Sequence, residues 1–307
     1  MPARGYPNLA RRRRLAAELR RLREHVGLAE DQATERLGWL SNSKLSRIEL
    51  GKSGVKQRDL QSLLDLYHVT GDRREELIAL AEESRRSGQF QSASMRLPGE
   101  LIAFLEAEAD AESIWVWEPL IVPGLLQVEN YTRSLLQAWV DRFSLPSGEV
   151  DRRVEARRIR QEVLMRDPPV RLSAVIDESV LYRRIGDAAV MREQLNRLVA
   201  LSESPHIEVR ILPLDGEHLV GTGSFNYLRF RQLHAVPLDD FVAFEHLTGM
   251  DEVEDESDVH QYKAVFESLT SNALCSDETR ARITAVANET WALSLRCRRA
   301  LVGPRCP

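Results

Sequence analysis

The sequence predicts a multidomain chain: an all-α head of five helices over residues 9–87 and a mixed α/β domain over residues 99–293, joined by a linker at 88–98. Three observations predict it. Apolar residues recur at helical spacing through the first part, strand-like runs alternate with helical ones after residue 170, and the stretch RRSGQFQSASMRLPG between them is rich in Ser, Gly and Gln and breaks the period. In residues 9–26, LARRRRLAAELRRLREHV, the side chains of Leu15, Leu19, Leu22 and Val26 form one stripe. Residues 28–52, LAEDQATERLGWLSNSKLSRIELGK, hold two short helical patterns about a Gly-containing turn. Leu28, Ala33 and Leu37, and then Leu45 and Ile48, lie on the sides those helices would bury. Ser41 is placed to cap the second of them and Gly51 to end it in left-handed backbone. Helices over 57–69, with Leu60, Leu63, Leu64 and Tyr67, and over 72–87, with Leu77, Ile78 and Leu80, complete the core of the head.

That core leaves Asn42, Ser43, Lys44, Ser46 and Arg47 facing outward on the second short helix. Their amide, hydroxyl and cationic groups can reach base edges or hold phosphates, and the dipole and free N–H groups at the helix start also favour a phosphate. A turn between two short helices with such a face is how a DNA-reading helix-turn-helix is written. Lys52, Lys56 and Arg58 continue the basic set, and together with the outward five they are the expected contacts to double-stranded operator DNA. The competing reading is a helical hairpin with a solvated polar face; the flanking helices weigh against it, because they supply the context a DNA reader needs. Charge agrees: residues 1–90 hold 18 Lys and Arg against 13 Asp and Glu, whereas residues 91–307 hold 24 against 34. A basic head on an acidic body suits backbone neutralisation. Arg11, Arg12, Arg13 and Arg14 are able to supply phosphate contacts, but a basic run at a helix start opposes the dipole and equally suits a solvated surface. Readers of this geometry bind paired half-sites, so a homodimer is expected.

The head resembles the Xre or Cro/C1-type helix-turn-helix family, most specifically at SKLSRIELGK. It departs from that family at two places. Ala29 and Glu30 stand where the family opens its first short helix with Thr-Gln or Ser-Gln, and the segment from Leu37 to Leu45 is one residue longer than the usual turn.

With 307 residues and 43% hydrophobic content, the chain has material for two or three globular units. No apolar run approaches the roughly 20 residues that cross a bilayer, and no apolar segment follows the Arg-rich start. A cytoplasmic location, on the nucleoid when bound to DNA, is therefore expected, with no membrane association. Cys275, Cys297 and Cys306 are few, odd in number and without paired spacing, so neither a disulfide nor a metal site is expected, and no cofactor.

Beyond the linker, 99–112 and 127–142 read as amphipathic helices around the apolar stretch IWVWEPLIVPGLL, and the charged helix 150–166 ends before Pro168. Strands follow at 170–176, 207–212, 224–230 and 241–246, with helices at 188–203, 257–271 and 277–293 and a tail at 294–307 expected to be disordered. The segments WEPLIVPGLLQVENYTRSLL, VEARRIRQEVLMRDPPVRLSAVIDESVLYRRIG, AVMREQLNRLVALSESPHIEVRILP, GSFNYLRF and FEHLTG resemble the WhiJ-type helix-turn-helix regulators of actinobacteria, over about residues 10–290. MDEVEDESDVHQY, after them, is more acidic than that family's usual stretch. The resemblance implies a transcriptional regulator, commonly encoded beside a small partner protein and described as antitoxin-like, and no known catalysis.

Two functions follow as expectations. One is a regulator whose C-terminal domain binds a small partner protein or ligand that alters operator binding. The other is an antitoxin-like protein that mainly sequesters a small partner, with DNA binding only autoregulatory. An enzyme is not expected. GTGSFN at 221–226, after His218, is similar to the small-residue segment of phospholipase D-type phosphodiesterases, but Val220 stands where their Lys would bind phosphoryl oxygens. Asp177, Glu178, Glu217 and His218 lie apart in sequence and read as surface or capping groups. Trp115, Trp117, Phe225 and Tyr227 can line a ligand or partner pocket, although core packing is the simpler account.

Overall fold

The computed structural model describes residues 9–51, 53–84, 99–143, 148–218, 223–230, 239–246 and 249–292; the expected linker at 88–98, the tail at 294–307 and Lys52 lie outside the described residues. The chain forms two compact units: Met1–Val116 with Ile159–Leu172 and Phe225–Val265, and Trp117–Arg158 with Ser173–Ser224 and Phe266–Pro307.

The first unit opens with the five expected helices, α1 (Leu9–His25), α2 (Glu30–Arg36), α3 (Asn42–Glu49), α4 (Gln57–Leu66) and α5 (Gly71–Ser84). Each contributes the apolar stripe its spacing gives it: Leu15, Leu19, Ala33, Leu45, Ile48, Leu60, Leu63, Leu64 and Leu77 are buried in one cluster with Tyr67. Each fully buried leucine contributes about 1.5–3 kcal/mol, so this cluster is what makes short helices such as α2 and α3 persist. A polar staple joins α1 to α5. The buried Glu18 carboxylate accepts from Arg21 Nε at 2.9 Å and from Arg73 Nη2 at 2.6 Å, and Arg73 also pairs with Glu76.

After the head, the same unit holds α6 (Gly99–Asp110), most of β1 (Ser113–Glu118), β4 (Phe225–Arg229), β5 (Phe241–His246), β6 (Gly249–Val253) and the first part of α11 (Glu256–Asn272). Glu108, on α6, is fully buried and is neutralised by a forked ion pair from Arg160, at 2.5 and 2.7 Å. Strands β4 and β5 pair antiparallel with Tyr227 opposite Val242, and β5 and β6 pair antiparallel with Val242 opposite Val253.

The second unit contains a 3₁₀ turn at Gly124–Leu126, α7 (Glu129–Phe143), most of α8 (Glu149–Arg160), most of β2 (Arg171–Asp177), α9 (Ser179–Tyr182), α10 (Ala188–Leu201), β3 (Ile207–Leu212), the end of α11 and α12 (Ser276–Glu289). Two of its buried polar side chains are satisfied by backbone groups: Gln194 accepts from Val128 N–H and donates to Leu126 C=O, and Thr279 accepts from Ile211 N–H. Asp187 caps α10 by accepting from Val190 N–H at 2.9 Å.

All six strands belong to one sheet, ordered β3-β2-β1-β4-β5-β6. Glu178 N–H donates to Leu212 C=O, and Arg171 N–H to Glu112 C=O, so β1, β2 and β3 run parallel; Glu112 N–H donates to Arg229 C=O, so β4 runs against β1. The expected mixed α/β domain is thus present. Two strands were not expected. The apolar stretch between the first two helices of this domain contains β1, whose run SIWVWE lacks the polar alternation of a half-buried strand. β6 lies in the acidic stretch after residue 249, where Asp251 and Glu252 interrupt the apolar pattern. The charged helix expected to reach 166 ends at Arg160 and continues as a 3₁₀ turn over Gln161–Leu164.

Burial alone pushes the Glu18 carboxyl up, but hydrogen bonds from Arg21 and Arg73 outweigh it and leave the group below the ordinary carboxylate value. Its folded value being the lower one, the staple stabilises the head above the ordinary carboxylate range and is lost as pH falls through the folded value. Glu18→Gln should cost about 1.5–3 kcal/mol, the worth of hydrogen bonds to a charged group, measured as lost hydrogen-exchange protection of α1 and α5 amides. The variant should also lose less protection on acidification than the wild type does.

Candidate nucleic-acid interface

The turn between α2 and α3 is built from its glycine. Gly38 has φ +66° and donates to Glu35 C=O, while Trp39 N–H reaches back to Thr34 C=O at 3.0 Å, the paired bonds that close a helix through a left-handed residue. The chain then turns through Leu40 to Ser41, whose hydroxyl accepts from Ser43 N–H at 3.1 Å and caps α3. Gly51, with φ +65°, ends α3 as the sequence predicts.

The orientation of α3 is fixed from behind. Leu45, Ile48 and Glu49 form its buried side, and Glu49 meets a second buried charge, Arg23 of α1. Arg23 donates Nε and Nη2 to the two carboxylate oxygens at 2.9 Å each, and Nη1 to Leu28 C=O at 2.7 Å. Among the residues of the Arg23–Glu49 pair, hydrogen bonding to Glu49 holds the guanidinium above its ordinary value against the effect of burial. A glutamate at i+4 from Leu45 on an apolar face is the sequence signal for such a partner, although it does not say which arginine supplies it.

With about 100° per residue, Ser43 and Arg47 lie opposite the buried side, and Lys44 and Ser46 flank them. Asn42, Ser43 and Arg47 are exposed and Ser46 is half-buried. Arg47 makes no side-chain hydrogen bond or ion pair among the described residues. Lys44 is different: its Nζ lies 2.8 Å from Asp59 of α4 and 3.8 Å from the centre of the Trp39 ring. That pair sets the first turn of α4 against the first turn of α3. Lys56, just before α4, and Arg58 in its first turn are exposed and therefore flank the α3 face. Seven of the eight expected contacts are described, the eighth being Lys52. Glu30 and Asp31 occupy the first turn of α2, where their charge suits the dipole but gives an anion no foothold.

Arg11 and Arg14, at the start of α1, are placed otherwise than as free phosphate contacts. Arg14 is buried, and Arg11 lies 3.6 Å from Asp110 at the end of α6. Burial draws the Arg14 guanidinium below its ordinary value, with Asp110 opposing and Arg11 adding to the shift.

Of the four aromatics considered for a pocket, Trp115 and Tyr227 come together, their rings stacked at 5.0 Å with Arg229 over the indole at 5.3 Å. Phe225 is fully buried edge-on to Tyr262, and Trp117 is buried. Trp115 alone among the four is partly exposed. Asp177, Glu178 and His218, far apart in sequence, are also brought together. His218 Nε2 lies 2.8 Å from Asp177 and its Nδ1 2.9 Å from Gly216 C=O, while Glu178 binds Arg282 at 2.5 Å and Leu214 N–H at 3.0 Å. Glu217 is exposed and no contact from it to this group is seen among the described residues. The network fastens the loop after β3 and the helix α12 to the end of β2; its polar atoms are spent on one another. Among the described residues no group of three or more His, Cys, Asp or Glu is arranged to hold a metal, and no helix is long and apolar enough to cross a membrane.

A short helix held from behind by a buried ion pair and presenting polar and cationic side chains defines a helix-turn-helix head, the fold class of DNA-binding regulators. Residues 14–77 match the family model described as Helix-turn-helix domain. Residues 101–285 match the one described as Domain of unknown function (DUF5753). The second match covers more than half of the chain, which therefore belongs to the DUF5753 family. No curated protein and no solved structure matches the chain.

Asp59→Asn should release Lys44 and remove a negative charge beside α3. Affinity for duplex DNA at low salt should rise several-fold, and the slope of log K against log salt should steepen by about 0.9, the value of one added phosphate contact. An unchanged slope in a salt titration would show that Lys44 does not face the duplex.

Proposed function

We propose that this protein is a sequence-specific transcriptional regulator that lays α3 in the major groove of operator DNA. The observation that carries the reading is the α3 face itself: Ser43 and Arg47 point away from Leu45, Ile48 and Glu49, with Asn42, Lys44 and Ser46 beside them and Lys56 and Arg58 at the flank. Arg47 is long enough and free enough to donate in a forked pair to a guanine edge, the commonest specific contact. Ser43, the N–H groups at the start of α3, Lys56 and Arg58 suit phosphates, which set register without reading sequence.

Two copies acting on paired half-sites follow from the geometry of such readers. For the C-terminal domain the reading is a small partner protein or a ligand that favours one arrangement of the heads over another, since equal affinity for both shifts nothing. The contact of Arg11 with Asp110 supports that reading, because it ties the first helix of the head to the first helix of the α/β domain. Trp115, partly exposed beside Tyr227 and Arg229, is the aromatic best placed to meet a ligand or partner. The resemblance to WhiJ-type regulators points the same way, to a partner encoded nearby.

Footprinting of the full chain on the DNA upstream of its own gene tests the proposal. A protected site of roughly twofold symmetry is expected, and Arg47→Ala should weaken binding to it by about 1–3 kcal/mol while relaxing sequence preference at one position. Lys56→Ala should weaken all sequences alike and reduce the salt slope by about one. Binding indifferent to the Arg47 change would move the assignment to a partner-sequestering protein.

A further inference from the structure

Two leucines on the head are exposed. Leu40, the residue before the α3 cap, is fully exposed, and Leu50, which follows the last residue of α3, is 52% exposed. A hydrophobic residue before a helix cap ordinarily packs against the fourth helical residue, here Leu45. Leu45 is instead wholly buried in the head core, with Trp39 packed against that core from the turn, so Leu40 is left projecting into solvent. Leu50 follows Ser43 and Arg47 on one helical stripe, at i, i+4 and i+7, and so shares their outward direction.

We propose that Leu40 and Leu50 read thymine. This rests on α3 being the reading helix. The major groove of duplex DNA offers one apolar feature, the thymine C5-methyl, and an aliphatic side chain at the groove floor discriminates a T·A pair by covering it. The surroundings select DNA over an apolar protein surface as the occupant. Leu40 is followed by Ser41, Asn42 and Ser43, and Leu50 shares its stripe with Ser43 and the unpaired Arg47. A protein surface apolar enough to cover the leucines would bury the exposed Asn42 and Arg47 side chains, which make no hydrogen bond among the described residues, without partners, whereas base edges and phosphates pair with them. The operator therefore carries T·A pairs at the positions facing the two ends of α3, outside the base pair that Arg47 reads.

The test uses the full chain and a random-sequence duplex library. Selected duplexes are remade with deoxyuridine for each thymine in turn, which removes the methyl and keeps every hydrogen-bonding group. At one or two positions per half-site the change should weaken binding about fourfold, the effect of one buried methyl group. Leu50→Ala, and separately Leu40→Ala, should bind the thymine and deoxyuridine forms equally at one of those positions. Both leucines are exposed, so neither variant perturbs the core, and Arg47→Ala should keep the deoxyuridine effect while binding more weakly. A selected site that tolerates deoxyuridine throughout, or whose sensitivity survives both leucine changes, overturns the inference and leaves the reading of α3 intact. Selection of no preferred sequence overturns both. If the chain's self-association falls in the leucine variants with no change in the deoxyuridine effect, the leucines serve contacts between copies and the inference is likewise overturned.

Discussion

The buried pair of Arg23 and Glu49 is the constraint on which the rest of the head depends. Apolar contacts between two short helices permit sliding and rotation at small cost, because one leucine contact resembles another. A forked ion pair does not, since its bonds are directional and any departure strands a charge away from water. Arg23 also takes the Leu28 carbonyl, so one side chain fixes α1, the connection into α2 and the end of α3. Tyr67, at the end of α4, closes the site from another side; burial and the Glu49 carboxylate both push its phenol well above the ordinary value, keeping it protonated. Arg47 stands two residues from Glu49, and its direction is inherited from that anchor.

From the head the constraint passes outward through α1. Arg11 and Arg14 face Asp110 at the end of α6, and two residues earlier on the same helix Glu108 is locked by Arg160. Helix α6 is therefore held by ion pairs at two positions of its last turn, and it lies within the compact unit that includes the head and β4 to β6. Such an element transmits a shift as a rigid rod or not at all. A molecule bound by the α/β domain alters DNA binding only through its differential affinity for two arrangements, not through distance.

Much of this was legible in the residues. The helices of the head announce themselves because their apolar positions keep one period and their ends carry Ser41, Gly38 and Gly51 where caps are needed. Strands β2 and β3 were visible for the same reason. β1 was not, because a strand buried on both faces has no alternation to detect, and β6 was hidden by its acids. The outward set on α3 followed from its buried set, but the state of each member did not. Lys44 meets Asp59 across 15 positions of sequence, and His218 meets Asp177 across 41. Such pairings are set by tertiary structure, and a local pattern carries no trace of them.

These pairings also change what the charge of the head means. A formal surplus of cations in the first 90 residues suggests a broad electrostatic grip on DNA. In the folded head, Arg14 is buried, Arg23 belongs to Glu49, Arg21 and Arg73 to Glu18, Arg74 to Asp65 and Lys44 to Asp59. Among the described residues, Arg47, Lys56 and Arg58 are the expected DNA contacts that remain as unpaired cations. Affinity from backbone neutralisation scales with the number of phosphates actually met, not with net charge. If the head binds DNA as proposed, the fewer cations it keeps free, the more its affinity depends on the groups that touch bases. The same ion pairs that fix α3 thus take cations out of the set free to meet phosphates.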